Sequence, residues 1–323
     1  MKPTILPGAE LEPPPSATDE ELAKPPPESP RAIRWARRRQ ALRRFWRQYR
    51  RSKMGMLGLV MLIIFAGMAL FATFFANRAA TDPTLTNGPP LAQPSMKYLL
   101  GTDDSGISVF TLVIQGSKNS MLVGLTATVI SMVLGTLFGV AAGFRGGWID
   151  AFLMRITDMF LVLPWLALAI VLAAVIGPSL PVIIGIIGFT SWPGTARLVR
   201  AQVLSVKEHL YVERARALGA SDWHVVTRHV LPNVMPVIFS NTILTIAIAI
   251  LSESALEFLG LGDPFAVTWG NTIDLAFDAS AYAIGAWWWL LAPSICIVLV
   301  VLAFTLCGFA CDEIINPRLR ARQ

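Results

Sequence analysis

Two sets of residues in this sequence are of types that could move protons or bind ions. All three histidines, His209, His224 and His229, lie in one charged segment, 204–233, between two apolar stretches. Farther along, Glu253 and Glu257 are four residues apart, so a helix would carry both carboxylates on one face. Carboxylates inside a membrane are costly and usually face a cavity or a partner. Two interpretations follow: the pair lines the outer part of a solute path, or it is wetted at the outer headgroups.

The sequence offers no support for other kinds of chemistry. It contains no Gly-x-x-x-x-Gly-Lys-[Ser/Thr] phosphate-binding loop, no set of nucleophile, base and acid, and no metal-ligand spacing. Cys296, Cys307 and Cys311 lie on or beside the last apolar stretch and are interpreted as small apolar residues. We therefore expect no catalytic residue, no metal and no cofactor bound by this chain.

The elements that carry these residues are predicted to be membrane helices. Hydrophobic residues make up 54% of the 323 residues and charged residues 15%, whereas soluble domains carry about 25% charge. A helix needs about 20 apolar residues to cross a bilayer. A soluble domain of this length has no core for several such helices, so the sequence predicts an all-α membrane protein with six transmembrane helices. The six charge-free windows, of which the fourth is the weakest, are Met54–Asn77, Asn119–Gly143, Met159–Gly177, Leu180–Ala196, Val234–Ser252 and Trp287–Cys311.

The distribution of basic residues predicts the orientation. With the N-terminus inside, the inner segments hold 24 of the 27 Lys and Arg residues, and the outer segments hold only Arg78, Lys97 and Lys118. Inner loops of membrane proteins are rich in Lys and Arg, so both termini are expected to be cytoplasmic. The basic residues lie at membrane edges rather than on a soluble face with exposed aromatics, which argues against a nucleic-acid partner.

Composition divides the chain into segments. A Pro-rich, acidic and disordered leader is predicted first, and a basic juxtamembrane segment with four aromatics follows it and is expected to lie on anionic lipid or to act as a topology signal. The predicted boundaries are leader 1–30, juxtamembrane segment 31–53, first transmembrane helix 54–77, outer loop 78–118, five-helix core 119–311 and cytoplasmic tail 312–323.

Small residues and prolines inside the windows predict close packing and helix breaks. Gly135, Gly139 and Gly143 recur every four residues, a pattern that lets another helix approach closely. Pro164 and Pro193 fall inside the third and fourth windows. Such breaks are tolerated where neighbouring helices or a water-filled cavity satisfy the backbone, which is typical of transporters and channels.

The charged segment 204–233 is predicted to be a helical hairpin. A first helix is expected over Val206–Leu218 and should end at Gly219 in a left-handed conformation. Ser221 and Asp222 can cap a second helix, which should run to about Val230 and stop before Pro232. A hairpin of this shape on the cytoplasmic face indicates a docking element for another protein.

Residues of this hairpin resemble the EAA loop of ABC importer permeases. That pattern reads Glu-Ala-Ala, three residues, Gly, nine residues, Ile, one residue, Leu-Pro. Glu213, Ala215, Gly219, Leu231 and Pro232 match it without gaps, while Arg214 replaces the middle Ala and His229 replaces Ile.

Other motifs over roughly residues 40–320 resemble the dipeptide and oligopeptide branch of that family, and within it the C-type subunit. They include 100–104 (LGTDD), 147–150 (GWID), 197–200 (RLVR), Glu253 with 258–262 (FLGLG), 269–271 (WGN) and 316–318 (NPR). The branch usually has Gly-Arg-Asp soon after Asp104, and residues 105–109 (SGISV) lack both charges, which leaves the substrate open.

The resemblance implies a fold, partners and roles. The fold is the ABC importer permease (MetI-like) core in a prokaryotic inner or plasma membrane. The partners are a second, B-type permease that completes the pore, two ABC ATPase subunits that bind ATP and Mg²⁺, and an extracytoplasmic solute-binding protein. The hairpin would act as a lever between the ATPases and the transmembrane helices, through Glu213, Ala215, Gly219, Asp222, His229, Leu231 and Pro232.

The alternatives fall into two groups. Within the same kind of complex, the solute could be nickel, glutathione or an oligosaccharide instead of a peptide. A different class, an ion-coupled secondary transporter or channel, would favour mid-membrane carboxylates or histidines and a repeated half. Charges lie near the ends of the windows and no internal repeat is evident, so the permease hypothesis is preferred.

Overall fold

The computed structural model describes residues 30–75 and 88–315, and no β-strand occurs in these ranges. Residues 1–29 of the predicted leader, residues 76–87 of the predicted outer loop and the 316–318 motif lie outside the described residues. The helices, numbered in chain order, are α1 (Pro30–Tyr49), α2 (Lys53–Phe75), α3 (Val109–Arg145), α4 (Gly147–Val162), α5 (Trp165–Ile176), α6 (Leu180–Thr190), α7 (Trp192–Lys207), α8 (Leu210–Ala217), α9 (Asp222–Val225), α10 (Leu231–Phe258), α11 (Trp269–Asp278) and α12 (Trp287–Ile315), with a π-helical turn, Val226–Val230, between α9 and α10.

Helix α1 belongs, as far as Arg47, to a unit separate from the rest of the chain. Trp35, Leu42 and Trp46 are exposed and recur at spacings of seven and four, so they share one face of the helix. The Arg39 guanidinium lies 5.2 Å from the centre of the Trp35 ring. The predicted contact of this basic, aromatic segment with lipid stays a prediction.

Five helical segments are long and apolar enough to cross a membrane, and the bent pair α4 and α5 makes a sixth if it counts as one span. The third predicted helix is therefore not straight: its two halves meet at 86°. Leu163 adopts an extended conformation (φ −69°, ψ 130°) immediately before Pro164. A proline disfavours the helical conformation of the preceding residue and lacks the N–H that would continue the helix.

Several predicted helix boundaries differ from the structure, as the second and fourth windows show. Helix α3 begins at Val109, ten residues before its charge-free window, so residues 109–118 of the predicted outer loop are helical. The exposed Lys118 lies within this helix and does not end it, since a lysine side chain can extend its charge towards water. The helical run that begins at Leu180, in the weak fourth window, likewise continues beyond Ala196 to Lys207 and is 28 residues long.

Ion pairs with α4 explain how α7 accommodates charged residues beyond the fourth window. Arg200 on α7 makes two hydrogen bonds of 2.6 Å to Asp150 on α4, one from Nε to Oδ1 and one from Nη2 to Oδ2. Arg197, almost one turn earlier, pairs with Asp158. Two-point arginine–carboxylate pairs fix orientation as well as adding energy, so the motifs at 147–150 and 197–200 fasten α4 to α7.

The glycine ladder of α3 lies directly against α7. An added Cβ at Gly135 would meet Thr195 Cβ at 2.6 Å, and one at Gly139 would meet Ala196 O at 2.6 Å. At Gly143 the Val203 Cβ would be 2.9 Å away. The side chains of α7 that meet the three glycines, Thr195, Val199 and Val203, also recur every four residues, so the two helix backbones pack along matching rows.

Buried side chains form clusters at both ends of the bundle. One end, here called the hairpin end, contains Phe144, Val206 and Val234 beneath the segment 204–233. The opposite end, here called the loop end, contains Val109 and Trp288 beside the segment 88–108. The core between them includes an edge-on pair of Phe65 and Trp269 rings, 5.7 Å apart.

Candidate functional site

The first arm of the hairpin is made of two helices rather than the single predicted helix Val206–Leu218. Helix α7 ends at Lys207, and α8 begins at Leu210 after an extended His209 (φ −75°, ψ 138°). Val206 and Val212 are both buried in the same cluster. On one continuous helix these valines would point about 120° apart, so the break lets both side chains pack into one core.

Gly219 makes the turn in a left-handed conformation, with φ +83°. The N–H of Ala220 donates to Ala215 O at 3.0 Å, and the N–H of Gly219 donates to Arg216 O at 2.9 Å. These two bonds define a Schellman motif, which satisfies the last carbonyls of α8. No atom lies within 4 Å of an added Cβ at Gly219, so backbone conformation, not space, favours glycine here.

The second arm does not stop before Pro232, contrary to the sequence prediction. Ser221 caps α9 by accepting the N–H of His224, and Asp222 is the first residue of that helix rather than its cap. The chain then continues through the π-helical turn into α10, with Pro232 in its first turn. The N–H of Leu231 bonds to Val226 O. Because the helix widens before a residue that has no N–H, it can pass the proline without ending.

Valines anchor the hairpin to the hairpin end of the bundle. Val212 on α8 and Val225 on α9 are buried together with Val199 and Val203 on α7. The Arg216 guanidinium lies 4.8 Å from the centre of the Phe144 ring at the end of α3. The inner face of the hairpin is thus joined to α3 and α7.

The opposite face of the hairpin carries uncovered apolar side chains. Leu218, next to the turn, is 88% exposed, and Trp223 is 77% exposed. Glu213 on α8 is also exposed. Large apolar groups grouped on an exposed face usually indicate an interaction surface. The remaining residues of the motif divide between exposed positions (Asp222, Pro232) and half-buried ones (Ala215, His229, Leu231).

The three histidines form a row of rings with Tyr211 across the two arms. Ring centres are 5.4 Å apart between His209 and Tyr211, 6.1 Å between Tyr211 and His229, and 5.9 Å between His229 and His224. Successive ring planes are tilted by 48° to 61° rather than stacked, and no group of three or more metal-ligating side chains occurs in the described ranges. His229 therefore packs inside the hairpin, between its arms.

Glu253 and Glu257 are buried, with relative exposures of 0% and 1%. Glu253 accepts hydrogen bonds from Ser120 Oγ and Ser254 Oγ, both at 3.0 Å. Glu257 accepts from Thr268 Oγ1 and from the N–H of Asn271.

The interpretation that water at the outer headgroups wets this carboxylate pair differs from that geometry, whereas a place on the solute path stays a prediction. Neither group is wetted, and neither lines the cavity at the loop end. The pair connects α10 to α3 and to the start of α11. Hydroxyl and N–H donors from those elements offset part of the cost of burying the carboxylates, while Glu257 Oε1 has no hydrogen-bond partner among the described residues. These donors lie up to 133 residues away in sequence, between Ser120 and Glu253.

A cavity of about 990 Å³ at the loop end was not predicted from the sequence. Its wall includes Asp103, Asp104, Asp263 and Asp278, and no Lys, Arg or His of the described chain lines it. Burial raises the pKa of the Asp103 carboxyl to about 6, although the N–H of Ile107 donates to it. The only signal in the sequence was the excess of aspartates over basic residues in the outer segments.

Comparison with known proteins gives two family matches. Residues 135–321 match the family described as binding-protein-dependent transport system inner membrane component. Residues 40–94 match the N-terminal transmembrane domain of oligopeptide transport permease C. Together the two matches include the glycine ladder, the hairpin, the carboxylate pair and helix α2.

Individual relatives are similar over most of their length. The dipeptide transport system permease protein DppC of Bacillus subtilis is 36% identical over 280 residues, 85% of each chain. The di/tripeptide transport system permease protein DppC of Pseudomonas aeruginosa is 34% identical over 284 residues, 86% of this chain and 93% of that protein. The oligopeptide transport system permease protein OppC of Bacillus subtilis is 32% identical over 274 residues, 84% and 88% respectively.

Proposed function

The chain belongs to the family of binding-protein-dependent transport system inner membrane components, and we propose that with a second permease it forms the pore of an ATP-driven importer of di- and oligopeptides. It is a multi-pass protein of the bacterial inner membrane, and as an ABC permease it is not itself an enzyme. The peptide substrate is supported by relatives named for dipeptides, di/tripeptides and oligopeptides. Nickel, glutathione and oligosaccharides have no comparable support, and neither does an ion-coupled mechanism.

The observation that carries the coupling role is the uncovered apolar face of the hairpin. Leu218 and Trp223 lie on either side of the Gly219 turn and are covered by no described part of the chain. The hairpin end includes the segments 144–158 and 197–233, which hold eight Lys and Arg residues, and we assign it, with both termini, to the cytoplasm. We assign this face to the docking of two ATPase subunits, which bind ATP and Mg²⁺, while a solute-binding protein docks at the loop end.

The geometry indicates how docking would move the pore. The hairpin is continuous with α10 through the π-helical turn and is packed on α7 through the valine cluster. Helix α7 is in turn fastened to α3 by the glycine ladder and to α4 by ion pairs. A force on the hairpin therefore acts on several long helices together, as the rigid-body rocking of transporters requires.

Copurification tests this proposal directly. The tagged full-length chain, extracted in mild detergent, should bring down a second permease and ATPases with phosphate-binding loops, identified by mass spectrometry. Trp223→Ala should reduce recovery of the ATPases, because it removes an exposed aromatic from the docking face. Tyr282→Ala, which removes an exposed aromatic at the loop end, is the matched control and should not.

Uptake completes the test. The copurified complex is reconstituted in proteoliposomes with its cytoplasmic face towards the lumen and the solute-binding protein added outside. These vesicles should accumulate trialanine only when ATP is enclosed in the lumen. A stable homo-oligomer without ATPases, or uptake that needs an ion gradient and no ATP, would overturn the proposal.

A further inference from the structure

The cavity at the loop end is built from several separate parts of the chain. The segment 103–107 supplies Asp103 and Asp104, and the connection after α10 supplies Asp263. Helix α11 contributes Asp278 and, on the same face, Asn271 about two turns earlier. A volume of about 990 Å³ is at the upper end of the range for small-molecule pockets.

Its carboxylates are held by local hydrogen bonds that leave acceptor capacity unused. Asp103 Oδ1 accepts the N–H groups of Ser105 at 3.0 Å and Ile107 at 2.7 Å. Asp263 Oδ1 accepts the N–H of Phe265 at 3.0 Å. An ionised carboxylate can accept about four hydrogen bonds, and none of the cavity's aspartates makes an ion pair within the described residues. The cavity therefore presents negative charge without a matching cation.

A second observation concerns Trp289, which also lines the cavity. Trp289 is 1% exposed, and no acceptor in the described chain lies within hydrogen-bond distance of its Nε1. Two other buried tryptophans do have acceptors: Trp269 Nε1 donates to Val113 O at 2.9 Å and Trp288 Nε1 donates to Thr102 O at 3.1 Å. Leaving a buried donor unpaired is destabilising, so the Trp289 indole N–H is available to an acceptor from outside this chain.

The two observations require different features of one ligand: a cationic group for the aspartates and a hydrogen-bond acceptor for the indole. We propose that this cavity binds a primary ammonium group with a neighbouring carbonyl oxygen, the combination found at the amino end of a peptide, with the carbonyl accepting the Trp289 indole N–H. The assignment to the transported solute rests on the proposed function. The same chemistry could also come from the solute-binding protein, as the ammonium of one of its lysines beside a backbone carbonyl.

Direct binding tests the cavity without requiring transport. The copurified complex, without solute-binding protein, is titrated with L-alaninamide, N-acetyl-L-alaninamide and n-propylammonium, and binding is measured by saturation-transfer NMR. Alaninamide should bind and the acetylated compound should not, because acetylation removes the positive charge. Absence of alaninamide binding, or equal binding of the acetylated compound, would overturn the proposal.

Variants localise the binding. Asp263→Asn/Asp278→Asn should weaken alaninamide about tenfold or more, since it removes two of the four charges that face the ammonium. Asp274→Asn is the matched control: it lies on α11 one turn before Asp278 and interacts with it electrostatically but does not line the cavity, so it should weaken alaninamide much less than the double variant does. Trp289→Phe should weaken alaninamide and leave n-propylammonium unchanged, because propylammonium has no carbonyl. Equal affinity in the double variant would place the bound amine elsewhere and refute the assignment.

Uptake and receptor affinity then separate the two sources of the ammonium. If the solute supplies it, the double variant raises the KM for ATP-driven trialanine uptake and leaves the affinity of the complex for its solute-binding protein unchanged. If the receptor supplies it, that affinity falls instead. A wild-type complex that transports no peptide would refute the proposed function, whereas the alaninamide titration would still decide whether the cavity binds ammonium.

Discussion

The turn of the hairpin provides a quantitative test of its local geometry. Gly219 has φ +83°, and an added Cβ would meet no atom within 4 Å. Gly219→Ala therefore introduces no steric clash, and its cost is that of a left-handed conformation for an L-residue, about 1–2 kcal/mol. Since 1.4 kcal/mol is a factor of ten, the open form of the turn should become roughly 5- to 30-fold more populated.

Hydrogen exchange of the complex measures that population. The N–H groups of Gly219 and Ala220 are bonded to Arg216 O and Ala215 O, so a peptide containing both should exchange roughly 5- to 30-fold faster in Gly219→Ala. Gly219→Asn is the matched control at the same site, because asparagine tolerates the left-handed region, and it should exchange more slowly than the alanine variant. Peptides from α3 should be unaffected in both.

Two results would refute the reasoning. Unchanged exchange in Gly219→Ala would mean that the turn is not left-handed. Equal acceleration by alanine and asparagine would mean that the size of the side chain, rather than backbone handedness, determines the requirement for glycine.

Three further predictions concern packing, ion pairing and pH. Gly139→Ala places a Cβ 2.6 Å from a carbonyl oxygen of α7 and should lower the free energy of unfolding by about 1–3 kcal/mol. The thermal midpoint in detergent measures this loss, and Gly67→Ala, whose Cβ would meet no atom within 4 Å, is the control that should not lower it. Equal midpoints for the two variants would contradict the close approach of α3 and α7. A double-mutant cycle of Arg200→Ala and Asp150→Ala should give a coupling of about 0.5–3 kcal/mol, and zero coupling would contradict the two-point bond. Burial raises the pKa of Asp103 from its ordinary value of 3.8 to about 6, so the folded chain binds more protons than the unfolded chain in that window and stability should fall as pH rises from about 4 to about 6. Asp103→Asn keeps an acceptor for the same N–H groups and should flatten the dependence of stability on pH. An identical slope in the variant would contradict the raised pKa of Asp103.

The positions of the long helices could be read from the sequence because charge-free windows report directly on membrane burial. Their ends could not, since a charged residue inside a helix is tolerated when it finds a partner. Arg200 shows this: it lies beyond the fourth window, yet α7 continues through it because Asp150 pairs with it. The bend at Pro164 was indicated by the proline, but its 86° angle depends on packing that a single sequence does not contain.

The hairpin was predicted in outline for local reasons and missed in detail for tertiary ones. Gly219 and Ser221 act through bonds to residues three to five positions away, which a sequence pattern can encode. The break before Leu210 depends on burying Val206 and Val212 in the same core, and that core includes side chains of other helices.

Sites formed by distant residues were not accessible from the sequence. Glu253 looked like a polar residue at a helix end, and its burial depends on Ser120 of another helix. The acidic cavity brings together Asp103 and Asp278, which are 175 residues apart. The sequence alone showed only an excess of acidic residues in the outer segments.

The π-helical turn at Val226–Val230 gives the hairpin a fixed angular setting relative to α10. A π-turn contains one residue more than the α-helical turn it replaces, and each residue of an α-helix corresponds to about 100° of rotation. Loss of a single residue there would restore a regular helix and at the same time rotate the exposed Trp223 by roughly a quarter turn or more about the helix axis. The length of this turn therefore restricts insertions and deletions independently of substitutions, because the residue count of the second arm is tied to the direction in which the arm faces.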